Sequence, residues 1–110
     1  MQTIFIRKKR TFDLITNKNK TIEGRINAGF NSQLKIGKLY YLQNDNHKII
    51  IQIEKIEYFS SIENMINNIK LDKILPDIKS IKDAIKYYYN IYPITRFGNK
   101  SFIAFYIKVV

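Results

Sequence analysis

Between residues 48 and 59 the chain reads KIIIQIEKIEYF, and its apolar positions change phase partway along. Ile49, Ile51 and Ile53 keep one two-residue phase, and Ile56 and Tyr58 keep the other. Successive side chains of a strand point to opposite faces, so one continuous strand with this pattern needs a β-bulge near Glu54–Lys55. A strand over 35–44 (KIGKLYYLQN), entered through Gly37, precedes it, and NDNH at 44–47 supplies the hairpin turn because Asn and Asp tolerate left-handed backbone. TIFIR (3–7), KTIEGRIN (20–27) and KSFIAFYIKVV (100–110) read as three more strands. Helical spacing appears three times. TFDLITN (11–17) has Thr11 as N-cap and Phe12, Leu14 and Ile15 facing inward. SSIENMINNI (60–69) opens with Ser60 and places Glu63 three residues later, a capping box, ahead of Met65, Ile66 and Ile69. In SIKDAIKYYYNIYP (80–93) Ser80 is the cap, Ile81, Ala84, Ile85 and Tyr88 share a stripe, and Pro93 ends the helix. AGFNSQ (28–33) reads as a loop. Five strands with about three short helices predict a small α+β fold around a curled sheet.

Composition narrows the setting. A chain of 110 residues, 45 % hydrophobic and 14 % aromatic, with no repeat and no Pro/Gly/Ser linker, is expected to be a single domain over 1–110. No apolar run is long enough to span a membrane, and the charges of MQTIFIRKKR follow its apolar run, the reverse of a signal peptide. With no cysteine, there is no disulfide-linked partner, no thiol nucleophile and no thiolate metal site; His47 is the sole histidine, so no metal or other cofactor is expected. A cytoplasmic, intracellular protein is the default expectation. The net charge of +10 favours a polyanionic partner, RNA or a nucleotide before others. The abundance of Ile, Lys and Asn also fits an AT-rich coding bias, which supplies lysine without function.

Three stretches carry candidate chemistry. In extended KTIEGR, Thr21, Glu23 and Arg25 share one face, and Ile22, Gly24 and Ile26 the other. Lys20 offers a compact cation or a tunable amine, Thr21 a hydroxyl, Glu23 a proton acceptor, and Arg25 a bidentate clamp for phosphate or a base edge. The same residues also describe a solvated strand with an internal ion pair. KYYYNIYP places four tyrosines in seven positions. Tyr88 reads as core by its stripe position, whereas Tyr87 and Tyr89 are open to stacking on unpaired bases. RKKR (7–10) reads as a solvated turn that gains meaning beside a basic groove, and Asp77 is a lone loop carboxylate. There is no Gly-rich phosphate loop, no helix–turn–helix pattern and no zinc spacing.

In order along the chain, NKNKTIEGRIN, LKIGKLYYL, ILPDIKSIKDAIKYYYNIYP and the terminal strand resemble the ASCH domain family. That family shows a K-T-x-E-x-R segment, a glycine-entered strand, an L-P loop and a helix ending Y-x-x-I-Y. The resemblance covers nearly the whole chain. It implies a PUA-like fold, a small β-barrel with helices packed on it and a cleft alongside, lined here by Lys20, Thr21, Glu23 and Arg25 for RNA or a modified nucleoside. One enzymatic branch, the acetylcytidine amidohydrolases, uses a lysine, a threonine and a glutamate, which fall on Lys20, on Glu23 and on or near Asp77. Some ASCH proteins act as ribonucleases, a role in which Lys20, Glu23 and Arg25 would serve as acid, base and phosphate clamp. The leading expectation is an RNA- or nucleotide-binding module in which Tyr87 and Tyr89 join the KTIEGR row. The alternative is a small hydrolase acting on RNA or acetylcytidine through Lys20, Glu23 and Asp77. A protein-interaction module is the third reading.

Overall fold

The shift of apolar phase in the long fourth strand is what curls the sheet. The computed structural model describes residues 1–110. Its strands are β1 (Thr3–Phe5), β2 (Ile22–Ile26), β3 (Leu39–Asn44), β4 (His47–Phe59) and β5 (Phe102–Val109), in spatial order β1-β3-β4-β5-β2. Only β1 and β3 run parallel; the other pairs are antiparallel. The β4–β5 register slips between Ile53 and Lys55, where the bulge was expected, and it swings the sheet into a half-barrel. Asp45, in left-handed backbone at φ 47°, forms the tight β3–β4 turn.

β5 is buried along Phe102–Phe105 with no polar alternation, because both of its faces are covered. Ile103, Phe105 and Ile107 enter a core inside the curl, with Ile4, Leu42, Ile51, Ile53 and the helix residues Phe12 and Ile15. Phe102 and Ala104 enter a second core outside it, under the other helices. The helices are α1 (Lys9–Thr16), α2 (Ile62–Asn68), α3 (Leu71–Ile74), α4 (Ile81–Ile91) and α5 (Ile94–Phe97). None is long and apolar enough to cross a membrane.

Several boundaries differ from expectation. There are five α-helices instead of about three, and a 3-10 turn over Gly29–Gln33 replaces the loop. The third strand begins at Leu39 and not at 35, because Gly37 at φ 83° makes a turn. α1 starts two residues before Thr11, with Lys8 at the N-cap and no side-chain cap. α2 is capped by Ser61, whose hydroxyl accepts from the Asn64 N–H at 3.0 Å, because Ser60 is still leaving β4; the expected Ser60–Glu63 box is not made. Ser80 caps α4 as expected, accepting from Asp83 N–H at 3.1 Å. Ile81 is 40 % exposed, so Ala84 and Tyr88 alone carry the buried stripe. Pro93 ends α4 and caps the short α5 that follows.

Candidate nucleic-acid interface

β2 is an edge strand. Its odd-numbered rungs pair with β5, as in the bonds from Ile107 N–H to Thr21 O and from Asn27 N–H to Ser101 O. The backbone groups of Ile22, Gly24 and Ile26 therefore point away from the sheet, where an uncovered edge invites pairing with another chain. Side chains cover all three. Lys20 Nζ donates to Ile22 O at 2.7 Å. The Tyr88 and Tyr92 hydroxyls lie against the backbone at Gly24 and Ile26. The fit is geometric: four residues of helix advance about 6.0 Å and two of strand about 6.6 Å. The Tyr88/Tyr92 spacing thus matches two successive free rungs of β2.

Lys20 is 3 % exposed. Its ammonium donates to Ile22 O and to Ile74 O on α3, and faces Glu23 Oε1 at 3.3 Å. The other Glu23 oxygen accepts from Arg25 Nε at 3.1 Å. Arg25 Nη2 then donates to Phe5 O on β1 at 2.8 Å. The half-barrel is thus joined between β2 and β1 by one guanidinium and not by a backbone ladder. Burial pushes the Lys20 pKa down, against the opposing pull of Glu23. Burial by itself would raise Glu23, but the positive charges of Lys20 and Arg25 outweigh it and hold the carboxyl below its ordinary range. Tyr88 is raised well above its usual value, by burial first and then by the Glu23 charge.

The Glu23 shift has a sign that can be measured. The folded pKa lies below the unfolded one, so the unfolded chain binds more protons between them. The stabilisation is present above the ordinary glutamate pKa of about 4.3 and is lost as pH falls through the lower folded value. Glu23→Gln should flatten that acid limb of the stability curve, as read by urea melts from pH 6 down to 2.

The remaining candidates divide. Thr21 is partly exposed and, with Lys18, Lys20, Glu54 and Lys108, lines a shallow cavity of about 220 Å³ at one end of β2. Three contacts tie down the basic run and its neighbours: Arg25 reaches Phe5 O, Lys8 Nζ sits 4.9 Å from the centre of the Tyr87 ring, and Arg10 makes two 2.9 Å bonds to Asp77. Asp77 is thus paired with Arg10 on the surface and not with Lys20 or Glu23. Tyr89 lies apart, its hydroxyl donating to Glu63. Two residues escaped the sequence reading. Asn44, 4 % exposed, donates to Ile6 O at 2.8 Å and Arg7 O at 3.1 Å, fixing where the basic run leaves β1. Its signal was a polar residue in the buried phase of Tyr40 and Leu42. Tyr92 was marked only by lying four positions after Tyr88.

No family model matches the sequence, and none of the curated proteins does. Solved structures do match. The hypothetical protein PH0355 superposes with a TM-score of 0.85 at 24 % identity, over 100 % of both chains. Protein PF0455 from Pyrococcus furiosus gives 0.76 at 23 %, over 99 % of this chain and 96 % of its own. An ASCH domain from Lactobacillus crispatus JV V101 gives 0.70 at 14 %, over 98 % of this chain and 78 % of its own. The likeness extends over nearly the whole of this chain, which has the fold of an ASCH domain.

Proposed function

We propose that this protein binds RNA or a nucleotide along the polar row of β2, with phosphate held at the end where Arg25 meets residues 7–10. The observation that carries this reading is that Arg25 donates to Phe5 O, two residues before the basic run, while Lys8 of that run lies over the Tyr87 ring. Of the nineteen cationic residues, Lys9, Arg10, Lys20, Arg25 and Lys55 alone form ion pairs, so most of the positive charge is available to a partner.

α1 supports the reading through a broken local rule. Lys9 and Arg10 occupy its first turn, at the positive end of the helix dipole, where no acidic residue stands, although Asp13 and Asp77 pair with their side chains. Such a placement costs a few tenths to about 1 kcal/mol, and an anion at that end would remove the cost. Arg25 is fixed by two partners and Tyr87 offers a ring beside Lys8, which suits a phosphate next to a stacked base. Lys20 is different: with its ammonium turned to Ile22, Ile74 and Glu23, it positions Glu23 and through it Arg25. An ammonium engaged by those three partners is held in a structural role, which favours binding over turnover.

Arg7 and Lys8 are exposed and make no ion pair, and the one side-chain contact between them and another element is Lys8 over the Tyr87 ring, so they test the reading without touching the buried network. In Arg7→Glu/Lys8→Glu, affinity for a fluorescein-labelled decauridylate at 0.1 M salt should fall at least tenfold. The slope of log K against log salt should shrink by about 1.4, or 0.7 for each lost phosphate contact. Thermal melting should hold or rise slightly, because two cations leave the start of α1. Unchanged affinity would refute the proposal.

A further inference from the structure

A second cavity, also about 220 Å³, opens where α4, α5 and the end of β4 meet. Its walls are aromatic: Tyr89 and Tyr92 from α4, Phe97 from α5, and Phe102 from β5. Tyr92 packs edge-on against both Phe97 and Phe102, at 5.3 and 5.6 Å between ring centres. The rim is polar. Ser60, Asn99 and Lys100 border it, and none of their side chains is engaged in a hydrogen bond or ion pair within the protein. No acidic residue lines it, and the one nearby carboxylate, Glu63, is taken up by the Tyr89 hydroxyl.

From this we infer that the cavity is a subsite for one unpaired base of single-stranded RNA; the inference rests on the RNA-binding reading above. Aromatic walls stack on the face of any base. A hydroxyl and a carboxamide on the rim present both donors and acceptors to its edge, and a free ammonium meets the adjoining phosphate. An apolar ligand would leave those three rim groups unused. The volume lies below the range of about 300–1,000 Å³ that holds larger ligands, so a single ring system fits and a longer stretch does not. Tyr92 also connects the cavity to the first site. Its ring forms a wall, and its hydroxyl lies at Ile26, one residue beyond Arg25. A strand whose phosphate sits at Arg25 can therefore place a neighbouring base beside Phe97.

The test uses the full chain and two probes. Decauridylate binding, read by fluorescence anisotropy, should weaken about tenfold in Phe97→Ala, the lower part of the range for losing one aromatic–base stack. A decamer of abasic ribose phosphates should bind the wild type and Phe97→Ala equally. Asn99→Ala, exposed and outside the core, should weaken decauridylate several-fold with unchanged melting and so guards against a folding artefact of Phe97→Ala. Adenosine, which carries no phosphate, should shift the amide resonances of Ser60, Asn99 and Lys100 at millimolar concentration, also in Arg7→Glu/Lys8→Glu. If decauridylate binds but is insensitive to Phe97 and Asn99, and adenosine leaves those amides unmoved, the base subsite is overturned while the phosphate site stands. If adenosine shifts them but decauridylate is not bound, the base subsite stands and the RNA-binding proposal falls.

Discussion

Glu23→Ala should destabilise the protein by about 3–5 kcal/mol at pH 7, a large share of what a domain of this size has to lose. The substitution removes the single carboxylate facing the Lys20 ammonium, whose other partners are the Ile22 and Ile74 carbonyls. Surface ion pairs such as Lys9–Asp13, at 2.6 Å but about half exposed on both sides, are worth about 1 kcal/mol or less. Lys20 differs because it is buried, 3 % exposed, where a lost partner costs more than at the surface. Arg25 loses its anchor in the same step, so its bond to Phe5 O must hold the β1–β2 join unaided.

The pH dependence separates an orphaned charge from lost packing. With Glu23 gone, burial lowers the Lys20 pKa without opposition, whereas the unfolded chain keeps an ordinary lysine near 10.4. Between those values the unfolded state binds more protons, so the stability of Glu23→Ala should climb relative to wild type as pH rises from 7 toward 10. Adding Lys20→Met should recover part of the loss at pH 7 and remove the climb. Urea melts of the three proteins across that range decide it: a deficit that is flat with pH would mean that the buried ammonium is not its source.

The sequence shows such features only where the cause is local. The bulge follows from the phase change between Ile53 and Ile56, Ser80 and Asp83 mark the start of α4 within four residues, and Asp45 marks its turn. The K-T-x-E-x-R pattern placed Glu23 and Arg25 on one face of a strand, as found. What could not be read depends on distant partners. A lysine four residues after Thr16 looks solvated until Ile74, 54 residues on, turns its carbonyl inward. Asp77 looks free until Arg10, 67 residues earlier, meets it. RKKR gains meaning only once Asn44 fixes its exit from β1 beside Arg25. Ser60, read from the sequence as the cap of α2, gives way to Ser61 because β4 stays paired through Phe59–Phe102.

Gly24→Ala should lower stability by about 1–3 kcal/mol, although alanine in a strand ordinarily gains about 0.5–1 kcal/mol over glycine. The strand backbone there needs no glycine, since its φ is not positive; space is the constraint. A Cβ would stand 2.7 Å from the Tyr88 hydroxyl, 3.0 Å from Met65 Cε and 3.1 Å from Met65 Sδ. Tyr88 is 2 % exposed and Met65 fully buried, so neither swings into solvent. The tyrosine ring is rigid, and relief requires α4 to move away from β2. Tyr88→Phe removes the atom in closest conflict. Made singly, it should cost about 0.5–1.5 kcal/mol, the usual worth of a hydroxyl's hydrogen bond. In combination the two should cost at least 1 kcal/mol less than their sum, a coupling expected of residues in contact. Met65 remains close, so the recovery is partial. Because α4 also carries Tyr87 and Tyr92, its shift in Gly24→Ala should weaken decauridylate binding along with stability, and adding Tyr88→Phe should recover part of both together. Additive losses across the four proteins would mean that the Tyr88 hydroxyl does not set the approach of α4 to β2.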